Sequence, residues 1–239
     1  MEIKGQTVDD VLYKTCKKLV EAPEYSPRGK RTKELIQPTL IVEDVTQNIV
    51  KNPARKLSMD YLNTEMEWYL SGDLSIDKIG KSASLWKEIA DEYGNVNSNY
   101  GYLVWKQKLE KYDASQFDWV VNSLLDDKDS RQAVINFNQP RHKEDGVKDF
   151  VCTINTQHLI RDNKLIGITN MRSNDLIYGF CYDFPFFSVL QQNIFKQLRL
   201  KYNDLKLGHN IHTSASLHVY ERHFQMIEDI INEYKKTST

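Results

Sequence analysis

The chain has 239 residues, 40% hydrophobic and 27% charged, which is enough apolar material for a domain-sized core and excludes a disordered or fibrous chain. Its 32 basic and 33 acidic side chains leave a net charge of −1, so nothing draws the molecule as a whole to duplex nucleic acid or to an anionic membrane. Asp175 and Asp183 break the longest apolar stretches, the N-terminus carries no apolar leader, and Cys16, Cys152 and Cys181 form neither a metal spacing nor an even disulfide set. The expectation is a cytoplasmic protein without a membrane span or a metal centre.

Residues 7–22 place Val8, Val11, Leu12, Cys16, Leu19 and Val20 at helical spacing behind Thr7, a candidate N-cap. PEYSPRGKRTKE follows as a cationic loop, and LIQPTLIVED reads as a strand interrupted by Pro38. Helices are predicted over 59–71 and 83–93, a third after the turn at Gly101, and an amphipathic one over 115–125 that ends at DDKDSR. The character then changes. QAVINFNQ, FVCTINTQHLIR, KLIGITNMRS and SASLHVYERH are rich in β-branched residues and read as strands, with RDNKL a tight hairpin between two of them. An apolar helix at about 185–200 and a polar one at 221–235 complete the chain. The order predicts an α+β fold: one domain over residues 1–239, a mostly antiparallel or mixed sheet with helices on one face.

Several side chains are candidates for chemistry. A lone strand cysteine such as Cys152 is ordinarily a small buried hydrophobe; as a nucleophile it needs a cation beside it, and Arg172 on the paired strand offers one. Arg28, Arg131 and Arg172 are either solvated charges or three grips on one phosphate. His218 and Tyr220, two apart on a strand, leave the same face and suit either a sheet pair or a sugar hydroxyl. Glu65 and Glu67 cannot share a helix face, so one meets solvent and the other turns toward Trp68 or a site.

EMEWYLSGD, LWKEIA, SNYG, DSR, the strand cysteine, RSND with Asp183 eleven residues after Arg172, and LHVY occur in an order and spacing that resemble the thymidylate synthase superfamily over residues 25–225. The resemblance implies a homodimer, with sheets packed back to back, that acts on a pyrimidine nucleoside monophosphate with 5,10-methylenetetrahydrofolate. It implies Cys152 as the nucleophile on pyrimidine C6, and Glu65 and Tyr100 in acid–base and C5 chemistry. Arg28, Arg172 and Ser173 become phosphate ligands, joined by Arg131 from the partner subunit. His218 and Tyr220 become sugar ligands, and Trp86 and Asp175 folate contacts.

Departures from the synthase pattern carry more information. Thr153 stands where synthases have His, Ile89 where they have a second Trp, Gln132 where they have a second Arg, and Asp183 where uracil-specific enzymes have Asn. Thr153, NSNYG, MRSND and SLHVY are more similar to the phage deoxycytidylate hydroxymethylases. Cytosine offers an N3 acceptor and an N4 donor, an edge matched by a protonated Asp; a setting of Tyr182, Phe184, Phe186 and Phe187 favours the proton. The alternative is an Asp capping the next helix near Pro185.

The expected reaction is hydroxymethylation at C5 of a cytidylate, dCMP foremost. The chain as given ends in a polar helix soon after Tyr220, a less closed site than the synthases' C-terminal tail makes, which favours water as the final acceptor. Alternatives are a CMP hydroxymethylase of an antimetabolite pathway, a C5-methylating synthase, and a silent nucleotide-binding homologue that releases no tritium from C5-labelled nucleotide.

Overall fold

A computed structural model describes residues 1–237. In chain order its elements are β1 (Glu2–Gly5), α1 (Val8–Val20), β2 (Glu24–Tyr25), β3 (Thr32–Ile36), β4 (Thr39–Val42), α2 (Met59–Ser71) and α3 (Leu85–Ile89). Then come β5 (Lys108–Leu109), β6 (Tyr112–Ser115), α4 (Gln116–Asp126), β7 (Val134–Asn136), β8 (Thr153–Arg161), β9 (Lys164–Met171) and β10 (Asn174–Asp175). The last are α5 (Cys181–Leu198), β11 (Lys206–Ser214), β12 (Ser216–Tyr220) and α6 (Phe224–Thr237). The fold is α+β.

A six-stranded sheet runs β1-β4-β11-β9-β8-β7 and a four-stranded sheet β10-β12-β3-β2. The larger sheet is mixed: β1/β4 and β11/β9 are parallel, the other pairs antiparallel. The stretch read as one strand interrupted by Pro38 is two strands in different sheets. Gln37 adopts a left-handed φ of 48° at the break, and its N–H donates to Ala215 O at 3.0 Å, where β11 likewise passes into β12. The predicted β8–β9 hairpin turns at Asp162 and Asn163, with φ of 49° and 58°, as a two-residue turn with both φ positive requires.

Thr7 caps α1 in a reciprocal box with Asp10, and Ser115 caps α4 likewise with Asp118. Two predicted helices differ. The one expected over 83–93 spans only Leu85–Ile89, because Asp91 Oδ1 accepts from the N–H groups of Tyr93 and Asn95 and holds the chain in a turn. The one expected after Gly101 is a single wide turn, Tyr102–Lys106, followed by the β5–β6 hairpin.

α5 is apolar on almost every side because it bridges two cores. Cys181 and Phe184 enter one with α1, Ile227 and Ile230; Phe186, Phe187 and Leu190 enter the other with Trp68, Tyr69 and Tyr100. This helix starts at Cys181, earlier than expected, so Asp183 lies inside it and caps nothing; Asp175 accepts from Ile177 N at the preceding turn instead. α6 docks on α1, with Tyr234 stacked on Tyr13 at 4.2 Å. No helix among the described residues is long and apolar enough to cross a membrane.

Candidate active site

Cys152 directly precedes β8 and is partly accessible. Its backbone oxygen accepts from Arg172 N at 2.9 Å across the strand pair, which places the two side chains together. Arg172 Nη2 donates to Cys152 Sγ at 3.3 Å and to Phe150 O at 2.6 Å, while Nε donates to Val151 O at 3.2 Å. The guanidinium lies 4.7 Å from the Phe150 ring centroid. Burial pushes the Cys152 thiol above its ordinary pKa; Arg172 opposes that most strongly and Arg28 less, while Asp183 and Asp149 reinforce it.

The segment NSNYG explains its own spelling. Asn97 Nδ2 donates to Asp149 O at 3.2 Å, and Ser98 gives both N–H and hydroxyl to the Asp149 carboxylate at 2.6 Å. Asn99 donates to Trp68 O and Asp73 O at 2.9 and 2.8 Å. Gly101 passes so close to α2 that a Cβ would stand 1.5 Å from Tyr69 O. Tyr100 is thereby stacked on Tyr69, centroids 5.1 Å apart, and its hydroxyl accepts from Thr153 Oγ1 at 3.0 Å. Thr153, the residue after the cysteine, therefore anchors Tyr100.

α2 decides between its two glutamates. Glu67 is exposed and paired with Lys78 at 2.6 Å, whereas Glu65 is buried. Tyr61, one turn earlier, donates to Glu65 Oε1 at 2.8 Å and accepts from Trp86 Nε1 at 3.1 Å. Burial raises the Glu65 pKa to about 8, against the Tyr61 hydrogen bond and with help from the Asp183 charge.

Asp183 faces the same cluster: its charge also raises the pKa of Tyr100, Tyr69 and Cys152. Burial lifts its own pKa to about 6, opposed by the hydrogen bond from Asn174 and reinforced by Asp175. Cys152, Glu65, Tyr100, Arg172 and Asp183 thus gather from five parts of the chain into one cluster.

The remaining candidates surround it. His218 and Tyr220 do share a face, rings edge-on at 5.1 Å, and Asp175 of β10 stands in register with His218. Burial lowers the His218 pKa, while Asp175 and Glu34 oppose that. Arg222 lies over both Tyr220 and the half-exposed Tyr178, at 5.0 and 5.3 Å. Trp86 is buried edge-on against Trp68. Arg28 is exposed in the turn Pro27–Gly29 and holds a left-handed φ of 53°. Ser173 is half-buried between Arg172 and Asn174, and Arg131 is exposed on the loop before β7.

Sequence reasoning missed Tyr61, Asn174 and Asp149. Tyr61 carried a signal, since it stands four residues before Glu65 on one helix face. The other two act through neighbours that only the fold supplies.

The family model described as thymidylate synthase matches residues 14–239. The deoxycytidylate 5-hydroxymethyltransferase of Enterobacteria phage T4 is 34% identical over 179 residues, covering 72% of this chain and 71% of that protein. Its phage T6 counterpart gives the same figures. The thymidylate synthase of Vesicomyosocius okutanii subsp. Calyptogena okutanii (strain HA) is 26% identical over 167 residues, 69% of this chain and 61% of that protein.

Proposed function

The chain belongs to the thymidylate synthase family, and from that premise we propose that it transfers a one-carbon unit from 5,10-methylenetetrahydrofolate to C5 of a cytidylate, dCMP foremost, to give the 5-hydroxymethyl nucleotide. One observation carries the cytidylate reading: a carboxyl that burial holds near pKa 6 stands where Cys152 and Glu65 converge. A neutral carboxyl presents one donor and one acceptor side by side, the complement of the N3/N4 edge of cytosine.

Each residue then has a role. Cys152 adds as thiolate to C6, with Arg172 stabilising its charge, and makes C5 nucleophilic. Asp183 passes its proton to N3 as that nitrogen gains electron density. Glu65, neutral below about pH 8 and oriented by the Tyr61 hydroxyl, exchanges protons with water. Tyr100, fixed by Thr153, stands by C5 and assists loss of its proton. Arg28, Arg172 and Ser173 hold the phosphate, with Arg131 of the partner subunit completing the grip; His218 and Tyr220 hold the sugar. The folate co-substrate supplies the methylene carbon. Trp86 and Asp175 line its place, and the half-exposed Tyr178 under Arg222 offers the stacking face and cation that a flat heteroaromatic with a carboxylate tail requires. Water, rather than a hydride, completes the transfer.

The test is incubation with methylenetetrahydrofolate and dCMP, CMP or dUMP, followed by mass spectrometry. The expected product is dCMP increased by one CH2O, with tetrahydrofolate released. A methyl product with dihydrofolate identifies a C5-methylating synthase, turnover of CMP alone an antimetabolite-type enzyme, and turnover of dUMP alone overturns the cytidylate reading. Without turnover or tritium release from C5-labelled dCMP, the chain is a silent nucleotide binder.

The proposal includes a two-fold homodimer in which all described residues form one catalytic unit. The sheet face away from α5 carries Ile41, Ile154, Leu159, Ile166, Ile168 and Ile211, all at least partly exposed, a surface that suits a second copy packed back to back. Mixing Arg131→Ala with Cys152→Ser subunits is expected to restore about a quarter of wild-type sites at equal ratio, because one site of each heterodimer carries neither lesion. No recovery after verified subunit exchange counts against a shared site.

A pH dependence follows with a definite sign. Asp183 holds its proton below about pH 6 and is ionised above. The protonated form pairs cytosine N3; the ionised form only accepts, which suits uracil N3–H. In Cys152→Ser protein, the dCMP-to-dUMP affinity ratio is therefore expected to fall as pH rises from 6 to 8, by at most about tenfold per unit. The phosphate is common to both ligands and cancels. A flat ratio, read by calorimetric titration, contradicts a titrating base reader.

A further inference from the structure

A protonated carboxyl is ambivalent toward pyrimidines. With the proton on one oxygen it donates to N3 and accepts from N4 of cytosine; with the proton on the other it accepts from N3–H and donates to O4 of uracil. Something must make the two oxygens of Asp183 unlike. Asn174 Nδ2 donates to Asp183 Oδ2 at 2.7 Å. A carbonyl oxygen accepts better than a hydroxyl oxygen, so this hydrogen bond keeps Oδ2 as the carbonyl and sends the proton to Oδ1.

Asn174 is built for the task. Its side chain is only 3% exposed, at the end of the short strand β10 that pairs with β12. The same amide nitrogen reaches Met171 Sδ at 2.9 Å. Gly179 makes its seat: a Cβ there would stand 3.0 Å from Asn174 Nδ2 and 3.2 Å from its Cγ. Asn174 Oδ1 is buried without a hydrogen-bond partner, and the amide's two polar contacts, to Asp183 and Met171, are both made by its nitrogen.

We infer that Asn174 is a positioning residue that decides which oxygen of Asp183 bears the proton, and so makes a neutral carboxyl read cytosine instead of uracil. The inference rests on the cytidylate reading above. It fixes the pose of the base: N3 opposite Oδ1, and the exocyclic amino group opposite Oδ2 on the Asn174 side.

The experiment measures dCMP and dUMP affinity in a Cys152→Ser background, where no turnover interferes, at about pH 5, where Asp183 keeps its proton with or without the Asn174 hydrogen bond that lowers its pKa. Asn174→Ala frees Oδ2 to carry the proton, so uracil gains a complementary partner while cytosine keeps one. Discrimination is expected to fall by about tenfold or more through tighter dUMP binding, with dCMP changed less. Gly179→Ala, which displaces Asn174 without deleting a polar group, is expected to move the ratio the same way, and it decides the matter if Asn174→Ala does not fold. A loss of order alone weakens both ligands together and leaves the ratio unchanged; that result in the folded variants overturns the inference. The parent protein separates the two failures: no dCMP preference there refutes the cytidylate reading, whereas a preference that both variants retain refutes only the role of Asn174.

Discussion

Cys152→Ser is expected to abolish turnover, and with it the exchange of the C5 proton in the absence of folate. Both processes need the C6 adduct, and a serine hydroxyl beside Arg172 is far less ionised than a thiol in the same place. The thiol itself is held above its ordinary pKa by burial, with Arg172 the largest opposing influence. The reactive form is thus the minority form in the free protein, and the guanidinium 3.3 Å from sulfur is what makes it accessible. The loss is expected to reach the detection limit of a tritium-release assay. Cys181→Ser serves as the control. Cys181 is fully buried at the start of α5 and donates to Leu176 O at 3.2 Å, away from the cluster, so its variant is expected to retain exchange. Wild-type exchange in Cys152→Ser would remove Cys152 from the mechanism.

Asp183→Asn is expected to have the second largest effect and a different signature. An amide has no titrating proton to pass to N3 when the thiolate adds, so cytidylate turnover should fall about a hundredfold or more, the usual scale for a lost general acid. Binding changes by another route. Where the new amide turns its nitrogen toward O4, it complements uracil and dUMP affinity rises; each mismatched edge leaves a buried group unpaired at roughly 1–3 kcal/mol, or about tenfold or more in affinity. Asn174 resists that turn, because its N–H favours an oxygen at the Oδ2 position. The gain in dUMP binding should therefore be larger in Asp183→Asn/Asn174→Ala than in the single variant. Arg28, Arg172 and Ser173 are untouched, so the phosphate contribution stays constant across the series. An unchanged ratio of dCMP to dUMP turnover in Asp183→Asn would show that another group reads the base.

Much of this protein is legible in its sequence because the relevant signals are local. The 3.6-residue spacing behind Thr7 and behind Ser115 marks two helices that both form with reciprocal caps, since a capping box needs only four consecutive residues. Asp162-Asn163 marks a hairpin because few residues tolerate two positive φ angles in succession. Alternation puts His218 and Tyr220 on one face, and the order of motifs brings Cys152, Arg172, Glu65 and Asp183 forward as candidates before any coordinates are considered.

Tertiary structure decided the rest, because it depends on neighbours far along the chain. Nothing local says that Gln37 and Ala215 pair where two strands change sheets, that Gly101 meets the Tyr69 carbonyl, or that the helix expected after it is a single wide turn. Electrostatics lies wholly on this side. Glu65 and Glu67 are chemically alike in sequence, yet one is salt-bridged in solvent and the other is pushed to about pKa 8, because the desolvation cost of a charge depends on what the fold wraps around it. Asp183 is likewise an ordinary carboxyl in the sequence. Enclosure by the two cores that α5 bridges raises its pKa, and an amide from β10 makes its two oxygens unlike; neither feature exists until the sheet and the helix have met.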